Sequence, residues 1–141
     1  MSGTTLRIII ALVFFVHGVG HVMGIMPALG LSSVKGWSSR SWLLTPLLGE
    51  TLSRVISFVL FLAALVGFLA AALGLMGWLV PHDSWRTLAV VSAVISLVAI
   101  VLFWNAFVAL IPNKVGAIAV DLATLICLLM LNWPSEADIG F

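Results

Sequence analysis

Four apolar runs divide the chain, and each is long enough to be read as a spanning helix of about 20 residues. They cover Leu6 to Met26, Leu52 to Val80, Thr87 to Ile111 and Val115 to Leu131. The breaks between them carry turn chemistry: a long polar and aromatic stretch after the first run, "PHDS" after the second and "PNK" after the third. The two short breaks require antiparallel neighbours. The pattern predicts an all-α protein, a four-transmembrane-helix bundle forming one integral membrane domain over residues 1-141. Its parts are spans at 6-26, 52-80, 87-111 and 115-131, an interfacial segment between helices 1 and 2 at 27-50, and a short C-terminal tail at 132-141. The link earns its interfacial reading from Trp37, Trp42, Leu43 and Leu44 set among Ser, Lys and Arg.

Composition agrees. The chain is 63% hydrophobic and 8% charged, which excludes a domain kept soluble by a charged surface. With a formal charge of +1, spread thinly, it has no basic patch for nucleic acid. The lone Cys127 allows no internal disulfide. Arg7 before Ile8 to Val16, with Ala28 to Gly30 as a small-x-small site, imitates a signal peptide, but the full-length apolar run reads as a retained helix. Lys35, Arg40, Arg54 and Lys114 fall on one side, against Arg7 and Arg86 on the other. That count places the link inside and both termini outside a bacterial or archaeal cell membrane. Trp37, Trp42, Trp78, Trp85 and Trp133 fall near predicted helix ends, as interface anchors do.

Polar residues inside the spans carry the functional signal, because an ionisable group in hydrocarbon costs roughly 2.5 to 3.5 kcal/mol on insertion scales. Counted inward at 1.5 Å per residue from the side of the long link, His21, Asn105 and Asp121 all lie about 10 Å deep and His17 about 15 Å. Arg54 stands near the start of the second span on the same side. The opposite half holds only small hydroxyls such as Ser92, which bond back to their own helix. The expected ligand-binding set is therefore His17, His21, Trp104, Asn105, Asp121 and Arg54, with Trp104 as a flat wall. His17 and His21, four residues apart on one helix face, can chelate one ion, and Asp121 would complete a two-His, one-carboxylate metal set. Divalent metal, quinone, and haem or chlorophyll on a single axial His are the cofactor candidates. Asp121 needs a cation beside it or a proton on it, and Arg54 and the histidines are the available partners. Gly18, Gly20 and Gly24 permit close helix approach.

The stretch "LRIIIALVFFVHGVGHVMG", with His17-Gly18 and the Gly-rich end of the second run at Gly74 to Gly77, resembles the opening of DoxX-like membrane proteins. It is similar also to small bacterial four-helix proteins sharing an "HGxxH" first helix. The resemblance covers about half the chain and implies a four-helix membrane bundle linked to quinone-coupled or thiol redox chemistry. In the DoxX-like pattern a Lys often follows where this chain has Gly20 and His21.

Three functions compete at this point. One is a binding or redox-accessory protein whose polar layer takes a quinone-like head group, pigment or metal ion. Another is a structural subunit of a larger respiratory or photosynthetic type of membrane complex, or a homo-oligomer, with the layer as interhelical glue. The third is a small transporter or proton pathway, disfavoured by the empty opposite half. No nucleophile with a base, phosphate loop or cofactor fingerprint points to an enzyme acting alone.

Overall fold

A computed structural model describes residues 2–31, 35–107 and 109–141; residues 32–34 of the link and Val108 of the third run lie outside the described residues. The chain is all-helical, and three helical stretches are long and apolar enough to cross a membrane: Gly3–Ala28, Leu44–Leu75 and His82–Leu102. The fourth apolar run, Val115–Met130, forms a shorter helix. In chain order the helices are α1 (Gly3–Gly20), α2 (Val22–Ala28), α3 (Leu44–Leu75), α4 (Trp85–Leu102), α5 (Val115–Leu125, continued by a wider turn to Met130) and α6 (Glu136–Ile139).

Helix α3 is the centre of the packing, with α1 and α2 on one side and α4 on the other, while α5 packs on α4. Glycine sets the closeness of the α1–α3 approach. A Cβ on Gly18 would lie 3.0 Å from Phe68 Cβ and 3.3 Å from the Leu65 carbonyl oxygen, and one on Gly24 would lie 2.5 Å from the Phe61 ring. Two apolar clusters result. One gathers Phe14, Phe68, Leu75 and Trp85 toward the termini; the other gathers Ile25, Phe61, Ile100, Phe103 and Phe107 toward the link.

The breaks differ from the predicted boundaries for identifiable reasons. The second helix begins at Leu44, in what was expected to be the link, with a kink at Gly49, whose φ of 82° lies in the left-handed region. It ends at Leu75 rather than Val80, with Gly77 left-handed just beyond. The third helix stops at Leu102, well short of Ile111, and a 3₁₀ turn at Trp104–Ala106 follows. Hydropathy continues through this point, but the link supplies donors for the carbonyls released there: Trp42 Nε1 donates to the Val101 oxygen at 2.8 Å and the Ser38 amide to the Asn105 oxygen at 3.1 Å. Trp85, expected at the interface, is completely buried beside Phe14.

The C-terminal tail also gains structure that its polarity hid. Ser135 and Asp138 form a reciprocal capping box around α6, and Ile139 is fully buried against the first cluster. Phe141 stacks on His82 at 3.6 Å and lies 4.5 Å beneath the Arg7 guanidinium, while His82 meets Glu136 at 2.7 Å and donates through Nδ1 to the Gly74 oxygen. Both termini and the "PHDS" turn thus meet at one end of the molecule.

Two outcomes follow from this packing. Gly24→Ala must displace the buried Phe61 ring, and overpacking of this kind costs about 1 to 3 kcal/mol; a lowered unfolding midpoint in detergent is expected. The Asp138 carboxyl lies below its ordinary value because the Ser135 amide and hydroxyl donate to it. A depressed native pKa gives stability that is present above the ordinary carboxylate value and lost as pH falls through the native one. Docking of α6, followed by limited proteolysis at the C-terminus, should therefore hold at neutral pH and fail on acidification below the ordinary carboxylate range, with Asp138→Asn releasing the tail at neutral pH.

Candidate functional site

His21 explains the break between α1 and α2. Its Nδ1–H donates to the His17 carbonyl oxygen at 2.9 Å, the acceptor that the His21 backbone N–H would use in a continuous helix. The backbone N–H turns instead to the Gly18 oxygen at 3.0 Å. A side chain inserted into the i→i−4 ladder is a recognised cause of such a kink. With Nδ1 committed as a donor, Nε2 reaches across to Ser96 Oγ on α4 at 2.8 Å.

Asp121, with no exposed surface, is held from two sides. His17 Nε2 lies 2.8 Å from Oδ1, and Ser96 Oγ lies 2.5 Å from Oδ2. The carboxyl group therefore joins α1, α4 and α5. The histidines are 4.9 Å apart between ring centres and rest on Phe68 of α3, His17 edge-on at 4.6 Å and His21 stacked at 5.8 Å. Side chains from α1, α3, α4 and α5 meet at this point.

The set assembled here is only part of the expected one. His17, His21 and Asp121 come together. Arg54 does not: it is exposed, and its Nε donates to the Ala28 oxygen at 2.5 Å. Asn105 and Trp104 fall outside the layer because α4 ends at Leu102, which moves both from mid-span to the surface. Trp104 sits instead under the Lys114 ammonium, 4.7 Å from its ring centre. The expected three-ligand metal set is not formed either. Among the described residues no group of three or more His, Cys, Asp or Glu is arranged to hold a metal ion. The two Nε2 atoms point to different partners, Asp121 and Ser96, instead of converging on one centre.

Ser96 is the residue that the sequence reading missed. Six positions in from Leu102, it lies about 9 Å deep, the same level as His21. Counted from Pro112, where the predicted span ends, Ser96 would lie about 24 Å deep; only the early end of α4 at Leu102 brings it level with His21. Ser92, one turn away, behaves as expected and bonds back to the Leu88 oxygen at 2.6 Å.

Beside the cluster the seam between α1 and α5 is open. A cavity of about 570 Å³ runs along it, lined by Ile9, Leu12, Val13, Val16, His17, Gly20, His21 and Met23 on one side and Asn113, Gly116, Ala117 and Val120 on the other, with Phe107 at its end. From Ile9 to Met23 it extends about 21 Å along the helix. A smaller cavity of about 190 Å³ continues the seam toward Cys127 and Trp133. His17 Nδ1 has no hydrogen-bond partner among the described residues, and His17 lines this groove. No family model, curated protein or solved structure matches the chain.

Because Asp121 satisfies two buried groups at once, Asp121→Ala leaves both His17 Nε2 and Ser96 Oγ short of a partner, each at a cost of about 1 to 3 kcal/mol. Ser96→Ala added to Asp121→Ala should cost less than the sum of the two single changes, since they share one network. Unfolding of the wild type and the three variants in detergent measures the coupling, and strict additivity would show that the bonds act independently.

Proposed function

We propose that the chain is a four-helix membrane bundle that binds an amphipathic molecule in the groove between α1 and α5, its polar head at His17 and its apolar tail along the helices. The supporting observation is the groove itself: about 570 Å³ of apolar space lined by the His17 and His21 side chains. That volume lies within the range of small-molecule sites, and their usual makeup is an apolar wall with a few convergent polar groups. Its length suits an isoprenoid or acyl chain entering sideways from the bilayer. A quinone-like head, with oxygen groups able to meet His17 Nδ1, fits the chemistry at the wall. The protein then serves as a binding or redox-accessory component, with other membrane subunits or a second copy as partners in a cell membrane, and both termini outside.

A structural role, with the cluster as glue between helices, is supported by the mutual hydrogen bonding of His17, His21, Ser96 and Asp121. Gly20 separates the two readings. It lines the groove, and a Cβ there would meet nothing within 4 Å, so Gly20→Leu has open space to enter while none of the hydrogen-bonding side chains is replaced. Protein purified in mild detergent and extracted for mass spectrometry should carry a stoichiometric amphiphile. Gly20→Leu should lose at least nine-tenths of it with the unfolding midpoint unchanged, and His17→Ala should lose it too. Wild-type protein that retains only bulk lipid would defeat the binding reading and leave the structural one.

A further inference from the structure

A second cavity, of about 580 Å³, lies at the link end of the molecule, between the end of α2 and the first turns of α3. It shares no lining residue with the α1–α5 groove. Beyond the left-handed Gly49, helix α3 presents Thr51, Arg54, Val55 and Phe58 to this cavity, spaced three and four residues apart and therefore on one face. The polar groups come first, and Phe58 follows about 6 Å beyond Arg54. The same face continues past the cavity as exposed Val59, Leu62 and Val66.

Arg54 is anchored but only partly used. Its Nε donates to the Ala28 carbonyl oxygen at 2.5 Å, at the C-terminal end of α2, which fixes the guanidinium at the cavity wall. Its two Nη groups have no hydrogen-bond partner among the described residues, and no acid there lies within ion-pair reach of Arg54. Glu50, one turn earlier, is the partner that helix spacing offers. It is taken instead by Arg40 of the link, at 3.2 Å. The charged residues lining the cavity are Arg40, Glu50 and Arg54, so one positive charge is left uncompensated. Ser39 adds a hydroxyl to the same lining, beside that of Thr51.

We infer that this cavity seats the phosphodiester of an anionic phospholipid, with its phosphate on the Arg54 guanidinium and its acyl chains along Val55, Phe58 and the exposed face of α3 beyond them. The two free Nη groups supply the paired donors that match two phosphate oxygens. One uncompensated charge balances a phosphodiester. A phosphomonoester, at nearly two negative charges, would set its excess against the Glu50 carboxylate. Basic pockets between spanning helices bind lipid headgroups in this way. A free phosphate shares the polar chemistry but leaves the apolar wall bare. The site does not rest on the groove reading, and both can be occupied at once.

Native mass spectrometry of protein released from mild-detergent micelles doped with phosphatidylglycerol or phosphatidylcholine of the same acyl chains tests the site. The wild type should retain one phosphatidylglycerol in preference to phosphatidylcholine. Arg54→Gln should lower that retention about fivefold or more, the worth of one basic residue beside an anionic lipid. Glu50→Gln frees Arg40 and should raise retention by about the same factor, a direction that misfolding does not produce. Gly20→Leu, in the other cavity, should leave it unchanged. Equal retention of the two lipids by the wild type, or retention indifferent to both Arg54→Gln and Glu50→Gln, would overturn the proposal. Displacement of the lipid by equimolar inorganic phosphate would overturn it in favour of a free-phosphate site. Loss of phosphatidylglycerol in Gly20→Leu but not in Arg54→Gln would overturn it by placing the lipid in the α1–α5 groove.

Discussion

The placement of one carboxyl group, that of Asp121, governs the architecture around it. In hydrocarbon it has no water to turn to, so its two oxygens must be met by side chains from other helices. His17 and Ser96 meet them, and in doing so join α1 and α4 to α5 at one level. Association of apolar helices in lipid gains little from hydrophobicity, since lipid tails are as apolar as the helix faces. Directional bonds of this kind therefore set which helices are neighbours and in what register.

His21 extends the same constraint into the backbone. By taking the His17 carbonyl with its ring, it releases its own amide to the Gly18 carbonyl and bends the first helix at the cluster. The bend and the small residues Gly18 and Gly24 bring the helix onto Phe68, which packs against both imidazoles, and onto Phe61, whose ring centre is 6.3 Å from that of His21. The outer side of α1 then has no close neighbour on α5, and the groove lies where those two helices fail to meet. Site and cavity thus arise from a single arrangement: the cluster ties the helices at one level and leaves their apolar surfaces apart above and below it.

The opposite end of the molecule is closed by aromatic and ionic contacts instead. Phe141 lies between His82 and Arg7, and Ile139 seals the first apolar cluster, so the tail docks onto the first helix and the turn before α4. The two imidazoles that line the large groove, His17 and His21, belong to the cluster and not to this end.

What the sequence determined by itself is the helical class, the apolar spans and the prominence of His17, His21 and Asp121, because each follows from local properties: run length, turn residues and the cost of an ionisable group in hydrocarbon. Depth counting placed those three at one level because the rise per residue is fixed within a helix. It failed for Asn105 and Trp104, since hydropathy does not register where a helix ends when the next residues are equally apolar and the carbonyls find donors in a distant link. Arg54 was likewise paired by depth, although its azimuth points it to the Ala28 carbonyl. Ser96 and the groove could be decided only by the tertiary structure: a serine becomes the bridge between His21 and Asp121, and a gap between helices becomes a cavity, through the relative rotation of helices far apart in the chain, which no local pattern encodes.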